Sequence, residues 1–152
     1  MYRGVWFNIE DFVPGMSSCA VEQSEFWFYH HASYPWDTSD VYLEIWNGDS
    51  MAPTTQLDQT MVTAIHYAPT FACYSPIVEA EANFWGLVNT EMSAGGWPAT
   101  LGDGTPGVHS FFSDDFIVWE PWGDMGDYFV RVFGWPPWFL GNTTWGSLKA
   151  TF

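Results

Sequence analysis

Between Phe84 and Gly134 the chain repeats a pattern that leaves it few folds: short aromatic and β-branched runs split by turn residues. The runs are Phe84-Trp85-Gly86-Leu87-Val88, His109-Ser110-Phe111-Phe112, Phe116-Ile117-Val118-Trp119 and Asp127–Gly134. Runs of this length and content, punctuated by Gly, Pro and Asp, predict successive strands of an antiparallel sheet. Ser113-Asp114-Asp115 reads as a tight hairpin turn between two of them.

The preceding chain extends the pattern. Arg3–Ile9, Glu25–His31, Val41–Asn47, Thr60–Tyr67 and Asn83–Thr90 read as strands, with Thr70–Val78 a less regular extended piece. In Val41–Asn47 the alternation is clean: Val41, Leu43 and Ile45 point one way, Tyr42, Glu44 and Trp46 the other. Glu10–Ser18, Ala32–Asp40, Ala52–Leu57 and the long Glu91–Gly107 stretch read as connections. Glu79–Ala82 is too short to hold a helix. Trp135-Pro136-Pro137-Trp138 is kept out of a central strand by its prolines. The expected fold is all-β: one antiparallel two-sheet sandwich, jelly-roll-like, of about eight to nine strands. Its core spans residues 3–134. The tail, 135–152, is expected to pack on the sandwich or on a neighbour, with both chain ends tied down.

Composition sets the partners. At 152 residues with 47% hydrophobic content, the chain supports a sizeable core. Eighteen acidic residues face three basic ones, Arg3, Arg131 and Lys149, for a net charge of -15. Nucleic-acid binding rests on Lys and Arg neutralising phosphates, so nucleic acid is not an expected partner. Anionic membrane surfaces are disfavoured for the same reason, and no apolar run is long enough to insert as a helix. The start, Met1–Trp6, is already strand-like, so no signal peptide is visible and any leader lies outside this sequence. Cys19 and Cys73 suit a disulfide in an exported protein, worth roughly 4 kcal/mol through loop closure. The alternative is two buried free thiols.

No nucleophile elbow, HExxH, P-loop or GxGxxG is present, so a non-enzyme is expected. The histidines are His30, His31, His66 and His109. Adjacent strand residues point to opposite faces, so His30 and His31 do not readily share a metal. Asp103, Asp114, Asp115, Asp124 and Asp127 sit near strand ends, where hard oxygen ligands suit Ca²⁺ and where Asp equally caps turns. Trp36, Trp97, Trp122, Trp135 and Trp138 lie beside Pro or Gly. Their rings either stack on sugars or fold back to cap the ends of the sandwich. Phe26–Tyr29, Phe116–Trp119 and Tyr128-Phe129 are apolar on both faces, and the outer faces need cover from loops, the tail or a neighbouring copy.

In the order of its segments the chain resembles β-sandwich modules of large secreted and cell-surface proteins of Bacteroidetes-like and related environmental bacteria. The likeness is carried by Val41–Trp46 with its Asn47-Gly48-Asp49 turn, Asn83–Val88, Gly107–Ser113 and Asp127–Val132. It implies export to the bacterial surface and a jelly-roll-like fold, and no activity. The expected function is that of a non-catalytic adhesive or structural module that binds polysaccharide. The alternative is a self-assembling subunit of an extracellular filament or surface layer, whose partner is a copy of itself.

Overall fold

The computed structural model describes residues 1–29, 38–93, 98–105, 107–123, 126–136 and 150–151. The strands are β1 (Tyr2–Asn8), β2 (Ser18–Tyr29), β3 (Thr38–Gly48), β4 (Pro53–Ile65), β5 (Pro69–Glu81), β6 (Asn83–Asn89), β7 (Ala99–Thr100), β8 (Ser110–Ser113), β9 (Glu120–Pro121), β10 (Val130–Trp135) and β11 (Ala150–Thr151). A 3-10 turn at Ile9–Asp11 follows β1, and the described residues hold no α-helix. One sheet runs β4-β3-β6-β1-β8-β9 and the other β11-β10-β2-β5, with β7 added to β2. All strand pairs are antiparallel. The fold is therefore an antiparallel two-sheet sandwich. Successive strands pass from one layer to the other except at the β3–β4, β8–β9 and β10–β11 pairs.

Period-2 alternation fills the space between the layers. Val5 and Phe7 of β1, Val41, Leu43 and Ile45 of β3, and Phe84 and Val88 of β6 face inward from the six-stranded sheet. Phe26, Phe28, Ala72, Tyr74 and Val132 meet them from the other sheet. Gly86 leaves room where these layers touch: a Cβ there would sit 3.5 Å from Val130 and 3.6 Å from both Phe26 and Phe7.

Several sequence expectations need correction. Strand β2 starts at Ser18 and β4 at Pro53, so Ala52–Leu57 is mostly strand rather than connection. Glu79–Glu81 continues β5. Phe116–Trp119 is no strand, and Ser113–Asp115 is no tight hairpin. Asp115 Oδ1 accepts the amides of Ile117 and Val118, at 2.8 and 3.1 Å, and so holds the backbone in a turn. Phe116 sits at φ +65°, which a strand cannot use. The β8–β9 connection is thus a longer loop that folds over the sheet. Trp135 is the last residue of β10.

The disulfide does not form. Both cysteines are free, Cys19 buried and Cys73 exposed. On the paired strands β2 and β5, Cys19 lies opposite Ala80 and Cys73 opposite Gln23. That offset along β2 is on the order of 13 Å at about 3.3 Å per residue, well beyond disulfide reach.

Candidate functional site

The outer face of the six-stranded sheet is more enclosed than the outer face of a two-layer sandwich usually is. Tyr42, Glu44 and Trp46 of β3 point away from the core, as their alternation requires. Pairing places Tyr42 beside Asn89 and Asn89 beside Tyr2. Two residues further along each strand pair, Glu44 sits beside Leu87 and Leu87 beside Gly4. The next outward row is Trp46, Trp85 and Trp6 on three neighbouring strands. Directly opposed residues on antiparallel strands are close enough for such rings to pack.

Trp85, at 0% exposure, Leu87 and Glu44 are buried although none belongs to the inter-sheet core. Trp85 is covered by β8 and the loop after it. Phe111 packs on Trp85 at 5.0 Å between ring centroids, and Trp119 packs on Trp85 at 5.2 Å. Phe116 inserts between Tyr2 (4.8 Å) and Trp46 (4.7 Å) and touches Trp119 (5.4 Å). His109 stacks on Trp6 at 5.4 Å.

A polar group lies inside this aromatic surface. Glu44 is 2% exposed and accepts from Trp46 Nε1 at 2.6 Å and Asn89 Nδ2 at 2.9 Å. Burial pushes its pKa up, the two hydrogen bonds oppose that, and the nearby negative charge of Glu91 adds to the rise. Glu91 is exposed, accepts from the Tyr2 hydroxyl, and has its amide bonded to Asn89 Oδ1 at 2.9 Å. Burial and Glu91 together push the Tyr2 pKa up. Glu44, Asn89, Glu91 and Tyr2 therefore form one chain of hydrogen bonds between three strands and a loop.

The second sheet repeats the device. Trp27 Nε1 donates to Glu25 at 2.6 Å, again two residues back on the same strand, and Glu25 is 4% exposed. Arg131 lies 3.7 Å from Glu25 on the neighbouring strand.

The residues singled out from sequence are distributed as follows. Trp36, Trp97, Trp138, Asp124, His30 and His31 lie outside the described residues. Trp122 packs on Phe112 and Tyr128 against the core. Trp135 donates to Glu22 Oε2 at 2.9 Å from the five-stranded sheet. Trp122 and Trp135 thus form no row. Every described indole is buried or half-buried by its own chain.

Asp103 and Asp127 come together, with Asp103 Oδ1 accepting from the Thr105 and Asp127 amides at 2.8 and 3.1 Å. Asp127 Oδ1 accepts from the His109 amide at 3.3 Å. Asp114 and Asp115 are exposed in the β8–β9 loop, and Asp115 caps its turn. Among the described residues no group of three or more His, Cys, Asp or Glu is placed to hold a metal ion. His66 is exposed beside Tyr67.

The outward Glu44–Trp46 pair was legible in the alternation of β3. Asn89, Glu91, Tyr2 and Phe116 join it only through strand pairing and loop closure.

Comparison with protein-family models, curated proteins and solved structures finds no match to this chain.

Proposed function

We propose that this chain is a non-catalytic β-sandwich module with an adhesive or structural role at a bacterial surface, and that it meets polysaccharide on the outer face of its six-stranded sheet. One observation carries this reading. Tyr2 and Trp46 place half-buried rings on the face that also carries exposed Glu91, with Asn89 and Glu44 beside them. Flat rings with a few convergent carboxyl and amide groups suit a pyranose, whose C–H faces stack while its hydroxyls hydrogen-bond. The net charge of -15 repels anionic glycans, so the favoured class is a neutral polysaccharide. Glu44 is engaged as a structural acceptor of two donors, which favours binding over catalysis. With both thiols free, the argument for export rests on the segment order that resembles bacterial cell-surface modules.

Titration with hydroxyethylcellulose, galactomannan and dextran tests it by tryptophan fluorescence. At least one is expected to quench the emission, and Trp46→Ala is expected to weaken that binding at least about tenfold, the loss of one good stacking contact. Silence across a broad panel of neutral glycans removes the reading.

Self-assembly is the second reading, favoured by a different observation. Strands β4 and β5 are long, and among the described residues each pairs with a single neighbour. They and their connection expose Met61, Ile65, Tyr67, Phe71 and Ile77. Open edges with apolar side chains are templates for pairing between copies. A monomer by light scattering at millimolar concentration rules this out.

A further inference from the structure

We infer that Phe116 is a built-in occupant of the glycan-stacking position between Tyr2 and Trp46, so that the β8–β9 loop blocks the face until it swings away. The inference rests on the polysaccharide reading of that face. Three observations on the loop support it.

The Phe116 ring fills the gap between the rings of Tyr2 and Trp46 and leans on Trp119. This is where a sugar stacked on Trp46 has to lie. Phe116 also holds a left-handed backbone, φ +65°, that a bulky side chain rarely adopts. Strain of this kind persists only where neighbours impose it, and it lowers the cost of leaving.

The loop's hydrogen bonds are local, within the loop and to the end of β8. Ser113 Oγ accepts the Phe116 amide at 2.9 Å, and Asp115 Oδ1 accepts those of Ile117 and Val118. Ile117 and Val118 stand 80% and 57% exposed, so at the tip it is the Phe116 ring that packs on the sheet face. None of these bonds belongs to the sheet ladder, and residues 114–118 can move without unpairing β1 from β8 or lifting Trp119 from Trp85.

Trp119, in contact with Phe116, has a buried Nε1 with no hydrogen-bond partner. A ligand hydroxyl that entered as Phe116 left would give this donor a stronger acceptor than a phenyl ring offers.

Two variants test the inference against the native chain. Phe116→Gly removes the ring while accepting the positive φ. Asp115→Ala releases the turn and leaves the ring in place. Each is checked for a cooperative melt and native circular dichroism, and Asp115→Ala decides if Phe116→Gly fails to fold. Affinity electrophoresis in hydroxyethylcellulose, galactomannan and dextran supplies the readout, with acrylamide quenching of the free protein as a second. Both variants are expected to bind about tenfold more tightly than native protein and to be quenched more readily. Equal affinity in all three proteins overturns the plug and leaves the glycan reading standing. Weaker binding by Phe116→Gly makes Phe116 a stacking residue and also overturns it. No binding by any of the three overturns both.

Discussion

Trp46 donates its indole N–H to Glu44, two residues back on the same strand, at 2.6 Å. The geometry is inexpensive, because residues i and i+2 of a strand share a face. What is unusual is the setting: the acceptor is a buried carboxyl on the outside of a sheet, and its donor Trp46 is covered by Phe116. Trp27 and Glu25 repeat the pair on the other sheet.

Burial raises the pKa of Glu44. A carboxyl whose folded pKa lies above its unfolded value of about 4.3 binds more protons in the folded state. Its contribution to stability is full below the unfolded pKa and is lost as pH rises through the folded one. Denaturant melts from about pH 4 to about pH 8 are expected to show native protein losing stability across that window. Glu44→Gln is expected to lose that part of the slope. An identical slope in both proteins contradicts the assignment. Asp115 acts in the opposite sense, since the Val118 and Ile117 amides hold its pKa down. Its contribution disappears only on the acid side.

Gly4 lies at the middle of the six-stranded sheet on the roofed face. A Cβ at this position would come within 2.1 Å of Leu87 Cδ2 and 3.2 Å of Trp85 Cε3. Leu87 is fully buried and has little room to yield. Gly4→Ala is expected to destabilise by about 1–3 kcal/mol, the usual cost of overpacking. Thermal or urea melts check this, and an unchanged midpoint means the roof adapts more readily than close packing allows.

The two thiols are expected to differ in reactivity. Cys73 is exposed. Cys19 is buried, and burial pushes its pKa up to about 12, so thiolate is scarce. Titration with an aromatic disulfide reagent is expected to find one reactive thiol in native protein without reductant and two after denaturation. None in either state means the cysteines are bridged.

Calcium removal is expected to leave the melting temperature unchanged. Carboxylate oxygens of Asp103, Asp115 and Asp127 are already accepting backbone amides. A clear fall in melting temperature with a chelator would reveal a site those bonds do not use.

Much of the sandwich was readable in the chain because strand alternation is local. Val41, Leu43 and Ile45 had to share one face, and Tyr42, Glu44 and Trp46 the other, whatever they packed against. The Asp115 loop misled because its residues, Phe116–Trp119, have strand composition. Its turn is set by side-chain to main-chain bonds that composition does not reveal. The disulfide misled because two cysteines on paired strands can still be out of register.

By itself the sequence determined that this protein is built from short, ring-rich strands in an acidic shell, because hydrophobic period and charge act residue by residue. Only the tertiary structure decided that Glu44, Asn89, Glu91 and Tyr2 form one network and that Phe116 lies across it. Those contacts join β1, β3, β6 and a distant loop, and contacts between segments so far apart in the chain exist only once the register of the sheet is set.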